Sequence, residues 1–473
     1  MRAVYKRILI LLALSLCVIT CCRIHYLRYL PSEEESPEAL LPQGLHLILN
    51  NTDSDLEETR RMESSIERFM AQWEIEGASL AIMKNGHLLY SKGFGKANRE
   101  TGEPMEVHHI LRIASLSKLI TATGIMKLCE SGRLSLQDHV FGPDGILNDS
   151  LFLQIRDKRL LKITVEHLLR HQGGFSNRAG DPLFCMPNVA RQLGKSLPLT
   201  LDDLVQYASI SRLRYEPGSS NIYSNLGYVV LTKVIEKVSG LPYETYMQDS
   251  ILHPIGCMDM HIGYSDSTKR FPNEVHYYEP SDAEPTESAL GGGALVPKSY
   301  GGCDLQVLSG AGGWVASPTE LMRFITAIDD QDSRPDILTP ASIDIMTEKD
   351  ENRFPIGWMR TTKGNDWTRT GSLAGSSVML KRQHNGYTWV FITNTSSWSG
   401  SRFPRKIENM IRQALDKVKS WPRRDLFDMD TTAMPVVDTL SYGTPLIVPA
   451  PTNVPDPVPN RRTSMLSRRT SYP

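Results

Sequence analysis

The sequence predicts an α/β protein of the α+β type, with one antiparallel sheet built from both termini, flanked by helices, and an all-helical insert beside it. Two β-rich runs joined by Asn85-Gly86 lie near one end of the chain, and two more joined around Asn385-Gly386 lie near the other. An Asn-Gly pair between such runs is a strong hairpin signal. The long middle has apolar residues at helical spacing instead, so its helices are expected to pack beside the sheet.

The individual elements follow from periodicity and from capping residues. The predicted strands lie within residues 79–94, 376–382 and 387–394. The predicted helices cover residues 56–76, 115–130, 165–171, 201–208, 225–238, 318–328 and 404–419. Thr164 is suited to begin one of these helices, and Gly132 and Gly240 to end two others. The first and last helices are expected to cover one face of the sheet.

The N-terminal residues have the pattern of a secretory leader. Arg2, Lys6 and Arg7 precede an apolar run over residues 8–20, which is short for a membrane span. We therefore predict a signal peptide or signal anchor at residues 1–22 and a polar linker at residues 23–55. The protein is then secreted and extracellular or, as the alternative, anchored to a membrane by the uncleaved leader.

The rest of the chain is predicted to form one domain and a tail. Residues 56–420 hold the periodic elements, whereas residues 421–473 are rich in Pro and contain two Arg pairs, a composition typical of disorder. The chain has 52 Lys and Arg against 53 Asp and Glu, for a net charge of −1. This balance gives no basis for nucleic-acid binding.

Secretion would also allow disulfides and glycans. Outside the leader the cysteines are even in number: Cys129, Cys185, Cys257 and Cys303. Such a set permits disulfides in an oxidising compartment, with three pairings open, although a buried free thiol at Cys129 is the competing interpretation. Glycosylation sequons begin at Asn50, Asn148 and Asn394.

A Ser-x-x-Lys tetrad opens the helix predicted over residues 115–130. Ser115 and Lys118 stand three residues apart, so a helix places them on one face, one turn from each other. A serine hydroxyl is a weak nucleophile until a base takes its proton. Burial and nearby cations can lower the pKa of a lysine until it is partly neutral and able to act as that base.

Two later stretches complete a pattern that the tetrad alone does not establish. Tyr223 and Asn225 form the only Tyr-x-Asn in the chain, and Arg369 opens an Arg-Thr-Gly-Ser run that ends at Ser372. With residues 168–174 and 312–317, these stretches resemble the serine β-lactamase and penicillin-binding-protein superfamily, nearest its class C and esterase-like branch. The resemblance covers residues 60–420 and implies the β-lactamase/transpeptidase-like fold.

The resemblance implies a role for each residue of the pattern. Ser115 is the nucleophile, Lys118 the base for acylation, and Tyr223 a general base or an acid for the leaving group. Asn225 binds the substrate carbonyl and the lysine. The run from Arg369 through Thr370 and Gly371 to Ser372 is expected to bind substrate along a strand edge. The amides of Ser115 and Ser372 would form the oxyanion hole.

Arg369 is where the sequence departs from the family, which usually places Lys or His at this position. Arginine keeps its charge and offers two parallel donors, so recognition of a substrate carboxylate is expected. A structural ion pair is the competing interpretation. Arginine cannot accept a proton, so a step that needs a base at this position is in doubt.

No metal or other cofactor is predicted. His167 and His171 stand four residues apart on a helix, but no third ligand accompanies them, and His171 is expected to make structural hydrogen bonds near the site instead. Asn225 could also be the N-cap of the helix that follows it.

The sequence therefore predicts a secreted serine hydrolase that is acylated at Ser115 by a small-molecule or peptide amide or ester and then hydrolyses the acyl group. An extracellular structural protein associated with the matrix, with catalysis incidental or lost, is the alternative. A cell-wall transpeptidase or carboxypeptidase is a third interpretation within the enzyme class. The substrate and the oligomeric state do not follow from the residues.

Overall fold

The computed structural model describes residues 48–429 except 179, 349, 351 and 352. The predicted leader at residues 1–22 lies outside the described residues, as do most of the predicted linker and tail. Secretion and membrane anchoring therefore stay predictions. Among the described helices, none has the length and apolar character needed to cross a bilayer.

The predicted helices and strands occur in the predicted order, and the structure adds further helices and short strands between them. The α-helices are α1 Arg60–Gln72, α2 Ser117–Glu130, α3 Val165–Leu169, α4 Met186–Leu193, α5 Leu201–Ile210, α6 Asn225–Ser239, α7 Tyr243–Met247, α8 Leu305–Gly312, α9 Pro318–Thr326, α10 Pro340–Thr347 and α11 Phe403–Leu415. The strands are β1 Gly77–Lys84, β2 His87–Asn98, β3 Glu103–Pro104, β4 Leu111–Arg112, β5 His261–Ile262, β6 Thr286–Glu287, β7 Leu295–Val296, β8 Trp314–Ala316, β9 Arg360–Thr361, β10 Trp367–Leu373, β11 Ser376–Arg382 and β12 Tyr387–Thr393.

One large sheet joins the two ends of the chain, as predicted. Its strand order is β3-β2-β1-β12-β11-β10-β9, and every neighbouring pair is antiparallel. Strand β1 pairs with β12 from Ala78 opposite Thr393 onwards. The first hairpin turns at Asn85 and Gly86, whose positive φ values of 49° and 78° suit the tight turns that match strand twist.

The two terminal helices cover one face of this sheet. Apolar side chains of α1 and α11, such as Ile66 and Ile407, share a buried cluster with Phe391 of β12. Burying a side chain of this size contributes about 1.5–3 kcal/mol, so the cluster ties both ends of the domain to the sheet. A second, larger cluster fills the space between the opposite face and the middle helices.

The insert contains short strands as well as helices, which corrects the all-helical prediction. Strands β4, β8 and β5 form a three-stranded sheet, and β6 pairs with β7. Most of these strands are two residues long. A strand of that length leaves no alternation of polar and apolar residues that the sequence could show.

The folded part extends beyond the predicted domain limits of 56 and 420. Residues 51–54 form a turn on β2, where the Asn51 side chain accepts a hydrogen bond from the Gly93 amide (2.8 Å). At the other end, Asp425 accepts one from the Leu88 amide (2.9 Å), and Leu426 and Phe427 are buried. Short contacts of this kind with β2 are not visible in composition.

The cysteines do not form the predicted disulfides. Cys129, Cys185, Cys257 and Cys303 are all free thiols. The buried Cys257 donates a hydrogen bond to the carbonyl oxygen of Glu320 instead (3.3 Å).

The three sequons also differ from one another. Asn394 is fully buried, and its amide donates to the Lys96 carbonyl (3.0 Å), so it cannot carry a glycan in the folded protein. Asn50 and Asn148 are exposed.

Candidate active site

Ser115 lies in a tight turn between the sheet and the insert. The turn Ala114–Leu116 precedes α2, so the α-helix begins two residues after the predicted start. Ala114 has φ 48°, a left-handed conformation that is strained for a residue with a side chain. The turn thereby presents Ser115 ahead of the first turn of α2, with Lys118 inside it.

Lys118 is fully buried and contacts three groups of the site. Its Nζ lies 3.4 Å from Ser115 Oγ and 2.7 Å from Asn225 Oδ1. It also donates to the carbonyl of Ala311. Burial lowers the pKa of Lys118, and the nearby positive charge of Arg369 acts in the same direction. The side chain therefore lies closer to neutrality than a lysine in water.

Tyr223 lies between the nucleophile and two cations. Its hydroxyl is 2.8 Å from Ser115 Oγ, and Lys118 Nζ lies 4.9 Å from its ring centre. Burial alone would raise the pKa of Tyr223, but the charges of Lys118 and Arg369 and the hydrogen bonds of the hydroxyl outweigh it and lower the pKa. The phenolate is thus more accessible than in free tyrosine.

Asn225 is oriented by a carboxylate. Its Oδ1 faces Lys118, and its Nδ2 donates to Asp181 Oδ2 (2.7 Å). The other oxygen of Asp181 accepts from the Leu183 amide (3.0 Å). The N-cap of α6 is Ser224, whose hydroxyl accepts from the Gly227 amide, so Asn225 is free of the capping role that the sequence left open.

Arg369 has different partners from the predicted carboxylate. The side chain is only 1% exposed. Its Nε donates to the Ser115 carbonyl (2.8 Å), and its Nη2 lies 3.3 Å from the Tyr223 hydroxyl. Two of its three nitrogens therefore contact groups of the protein, and the charge acts on Tyr223 directly.

Strand β10 passes against the nucleophile turn at Gly371. A Cβ atom at this position would lie 2.8 Å from the Ile113 carbonyl oxygen and 3.0 Å from the Ser115 nitrogen. Both distances are shorter than normal contacts, so only glycine allows the strand to come this close.

The same strand presents an open edge next to that contact. The Met359 amide donates to the Thr368 carbonyl (2.9 Å), so the backbone groups of Thr368 face β9. Backbone groups alternate sides along an antiparallel strand, so those of Thr370 and Ser372 face the same edge. In the described structure β9 ends opposite Trp367 and Thr368, which leaves this stretch of edge without a paired strand.

His171 makes structural hydrogen bonds at the back of the site, as predicted. The Ser224 amide donates to its Nδ1 (3.2 Å), and its ring packs 4.4 Å from that of Tyr223. Burial, followed by the charges of Lys118 and Arg369, holds the pKa of His171 well below its usual value. His167 Nδ1 accepts from the Thr164 amide (3.2 Å) in the cap of α3. Among the described residues, no group of three or more potential ligands could hold a metal ion.

The structure thus brings the predicted residues together and adds several that the sequence did not reveal. Ser115, Lys118, Tyr223, Asn225 and Arg369 form one connected set of contacts. The added contributors are Asp181, the Ala311 carbonyl and Asn177, whose Nδ2 donates to the Tyr223 carbonyl (3.0 Å). A hydroxyl in contact with a phenol and an amine of lowered pKa can lose its proton to a neighbour as it attacks a carbonyl.

Comparison with known proteins gives a family and related folds. The model of the family described as "Beta-lactamase" matches residues 62–411. Penicillin-binding protein 4* of Bacillus subtilis is 28% identical over 203 residues, which are 43% of this chain and 41% of that protein. Esterase EstB of Burkholderia gladioli is 26% identical over 257 residues, 51% of this chain and 60% of the esterase. The chain therefore spans less than two thirds of the length of these relatives.

A solved structure supports the same fold. The D-amino acid amidase from Ochrobactrum anthropi SV3, complexed with L-phenylalanine amide, superposes with a TM-score of 0.60 at 21% identity. The match covers 77% of this chain and 100% of that one. At this identity the similarity concerns the fold.

Proposed function

Because the chain belongs to the beta-lactamase family, we propose that it is a serine hydrolase in which Ser115 attacks an ester or amide and forms an acyl-enzyme that water then hydrolyses. One observation carries the proposal: Ser115 Oγ lies 2.8 Å from the Tyr223 hydroxyl and 3.4 Å from Lys118 Nζ. The first distance allows the serine proton to leave as the new bond forms, and the second is of the longer kind that tightens when substrate binds.

Tyr223 is the nearer acceptor, and its lowered pKa suits it to this task. The Oγ of Ser115 bonds to the carbonyl carbon while its proton passes to the Tyr223 oxygen. That proton then goes to the leaving nitrogen or oxygen as its bond to carbon breaks. Water then attacks the acyl carbon and gives a proton to Tyr223, which passes it to Ser115 Oγ as the bond from that oxygen to the acyl carbon breaks. Lys118 and Arg369 stabilise the phenolate between these steps.

The negative charge on the attacked oxygen needs donors at the same place. We assign this role to the amides of Ser115 and Ser372, as the sequence predicts. The close passage of Gly371 along the turn and the alternation of β10 support the assignment. A single donor of this kind contributes about 2.7–4 kcal/mol to lowering the barrier.

The substrate class follows from the relatives only in outline. An esterase and a penicillin-binding protein are similar in sequence, and an amidase is similar in fold, so small esters, amides and D-amino-acid peptides are the substrates to compare.

Secretion, or anchoring by an uncleaved leader, belongs to the same proposal and is supported by the pattern of residues 1–22. Expression of the full chain in cultured eukaryotic cells, with separate assays of medium and membranes, tests it.

The decisive experiment is covalent labelling of the nucleophile. The wild-type protein should gain the mass of one fluorophosphonate, and Ser115→Ala should gain none. Ser131→Ala is the matched control, since Ser131 is an exposed serine just after the same helix, and it should label like the wild type.

Two outcomes would contradict the proposal. If folded Ser115→Ala still gains a fluorophosphonate adduct, the nucleophile is a residue other than Ser115. A folded wild-type protein that reacts with no fluorophosphonate or penicillin would favour the alternative of a matrix-associated structural protein without catalysis.

A further inference from the structure

A cavity next to the candidate active site contains three arginines. It has a volume of about 350 Å³, and Arg156, Arg178 and Arg212 all line it. The described residues that line it include no Asp or Glu. Within the part of the chain that the structure describes, none of the three arginines makes an ion pair. The cavity therefore has a positive charge that the protein does not neutralise.

Two other arginines in this part of the chain do have carboxylate partners. The neighbouring Arg159 pairs with Asp157 (2.7 Å), and Arg170 pairs with Glu166 (2.8 Å) and Glu348 (2.7 Å). Arginines a short distance away thus have carboxylates beside them, whereas those in the cavity do not. A guanidinium without a partner is a ready binding group for carboxylate or phosphate.

Three of the residues that line the cavity are largely apolar, and we call them its apolar floor. They are Phe175, Tyr207 and Leu226, and Phe175 and Leu226 are buried in the main core. A ligand that fits both parts has an apolar body and an anionic end. An inorganic ion would leave the apolar floor uncovered.

The cavity is connected to the catalytic residues by direct contacts. Asn177 lines it and donates to the carbonyl of Tyr223 (3.0 Å), whose hydroxyl lies 2.8 Å from Ser115 Oγ. Leu226 lines it and follows Asn225 directly. Asn177 and Tyr223 therefore link the lining of the cavity to the nucleophile.

Asp181 is the acidic residue at the junction, and its oxygens are occupied. One accepts from the Leu183 amide and the other from Asn225 Nδ2. The carboxylate therefore holds Asn225, and among the described residues it makes no ion pair with any of the three arginines that line the cavity.

From these contacts, and resting on the proposed function, we propose that this cavity binds an anionic group of the substrate. The preferred substrates are esters or amides whose apolar chain ends in a carboxylate or a phosphate. Arg156, Arg178 and Arg212 bind the anion, and the apolar floor holds the chain that leads to the scissile carbonyl.

The test compares two chromogenic esters that differ in one charge: mono-4-nitrophenyl suberate and its methyl ester at the distal carboxyl. Wild-type protein should have the higher kcat/KM for the charged ester, and added NaCl should reduce the preference because the arginines are exposed. In Arg156→Gln/Arg212→Gln the ratio of the two kcat/KM values should fall roughly ten-fold, as expected for the loss of charge contacts to a substrate anion. A matching ester with a distal phosphate distinguishes phosphate from carboxylate preference.

Arg214→Gln is the control, because Arg214 is exposed two residues from Arg212 but does not line the cavity. It should leave the ratio unchanged. Equal kcat/KM values for the two esters in wild type, or a ratio that the double variant does not alter, would overturn the inference while the proposed function stands.

A binding measurement separates this inference from the proposed function. Calorimetry with suberate on Ser115→Ala should show binding that Arg156→Gln/Arg212→Gln abolishes. If neither ester is hydrolysed and no fluorophosphonate adduct forms, the proposed function fails. In that case the anion site is still supported if suberate binds and the binding depends on the arginines. If no such binding is measured, the anion site is overturned as well.

Discussion

The guanidinium of Arg369 lies 3.3 Å from the hydroxyl of Tyr223. At this distance a permanent positive charge favours the phenolate, and the pKa of Tyr223 is lowered despite its burial. Arg369 therefore favours the ionised form of Tyr223 without itself accepting a proton. Its positive charge stabilises the phenolate of Tyr223, and its Nε donates a hydrogen bond to the Ser115 carbonyl.

Removing this charge should shift the pH profile. In Arg369→Ala the pKa of Tyr223 rises, so the fraction of phenolate at neutral pH falls and the ascending limb of kcat/KM moves to higher pH. Arg369→Lys should restore part of the shift, because it keeps a charge but loses the planar fork. Profiles of kcat/KM from pH 5 to 10 measure both effects.

The same variant tests the role predicted from the sequence. Loss of a bidentate carboxylate site would raise KM for acidic esters far more than for neutral ones, whereas a charge acting on Tyr223 affects both alike. A loss confined to acidic substrates, with an unshifted pH profile, would restore the carboxylate assignment. Equal loss with a lower melting temperature and the same profile would leave Arg369 a structural residue.

Lys118→Met should abolish most turnover and change how stability depends on pH. Loss of a group that assists proton transfer costs about 10²–10⁴-fold in kcat. The pKa of Lys118 is lowered by burial, so between that pKa and the usual 10.5 the folded state binds fewer protons than the unfolded one. The free energy of unfolding therefore rises with pH across this range. In Lys118→Met this free energy should rise less with pH than it does in the wild-type protein.

Thermal melts from pH 7 to 10 measure this slope. Lys127→Met is the control, since Lys127 lies on the same helix with its side chain 39% exposed, and it should keep both turnover and slope. A wild-type slope in Lys118→Met would show that this lysine is protonated in the fold.

Asp181 should act as a positioning residue through Asn225. Asp181→Asn keeps an oxygen that can accept from Asn225 Nδ2, whereas Asp181→Ala removes it and frees the amide to rotate. We expect kcat to fall roughly ten-fold or more in Asp181→Ala, the cost of misplacing one hydrogen bond to a charged group. Asp181→Asn should recover most of that loss at unchanged KM. Equal loss in both variants would mean that the charge matters and the orientation does not.

Gly371→Ala should move strand β10 away from the turn that contains Ser115. The added methyl would lie 3.0 Å from both the Ser115 nitrogen and the Ala114 Cβ, so β10 must shift. Activity should fall by roughly 10²-fold, because small misplacements at the reacting centre are costly. Gly364→Ala is the control, since its nearest neighbour would be 3.8 Å away. Full activity in Gly371→Ala would show that the turn and strand need not touch.

A buried carboxyl far from this site should make the protein less stable as pH rises. Asp329 is 2% exposed and has an oxygen without a hydrogen-bond partner, and burial raises its pKa to about 7. The folded state then binds more protons than the unfolded state between about pH 4 and 7. Stability from this group is present below pH 4 and is lost as pH rises towards 7.

Asp329→Asn removes the ionisation and should melt higher than wild type at pH 7, with a smaller difference at pH 4. Asp282→Asn is the control, since Asp282 is exposed and is not among the charges that act on Asp329, and it should change neither value. A wild-type melting curve that rises between pH 4 and 7 with no change in Asp329→Asn would contradict the prediction.

The candidate catalytic residues could be predicted from the sequence because their pattern is local. Ser115 and Lys118 share a helical face, and Tyr223 and Asn225 stand two residues apart. Asp181 and the Ala311 carbonyl were out of reach, because they meet Asn225 and Lys118 across 44 and 193 positions. Contacts between residues so far apart in the chain depend on how the insert packs, and this packing cannot be predicted from a short stretch of sequence.

The limits of the helices and strands show the same division. Both Asn-Gly hairpins and the helix over residues 225–238 were predicted nearly as they are, since turn residues and caps are written in the chain itself. Ala114 has a strained φ just before α2, which begins at Ser117, and Gly371 of β10 passes close to this turn. Local propensity cannot predict this φ.

Because β1 pairs with β12, the sheet can be completed only after nearly the whole domain has been synthesised. Ala78 meets Thr393, and the Glu76 amide reaches the Thr395 hydroxyl across 319 positions. Arg369 and Ser372 belong to the same late-made part of the sheet, whereas Ser115 and Lys118 are translated far earlier. Contacts over such separations form slowly and late. A nascent chain therefore carries its candidate nucleophile long before Arg369 and Ser372 are made, and we expect chains that terminate before β10 to be inactive.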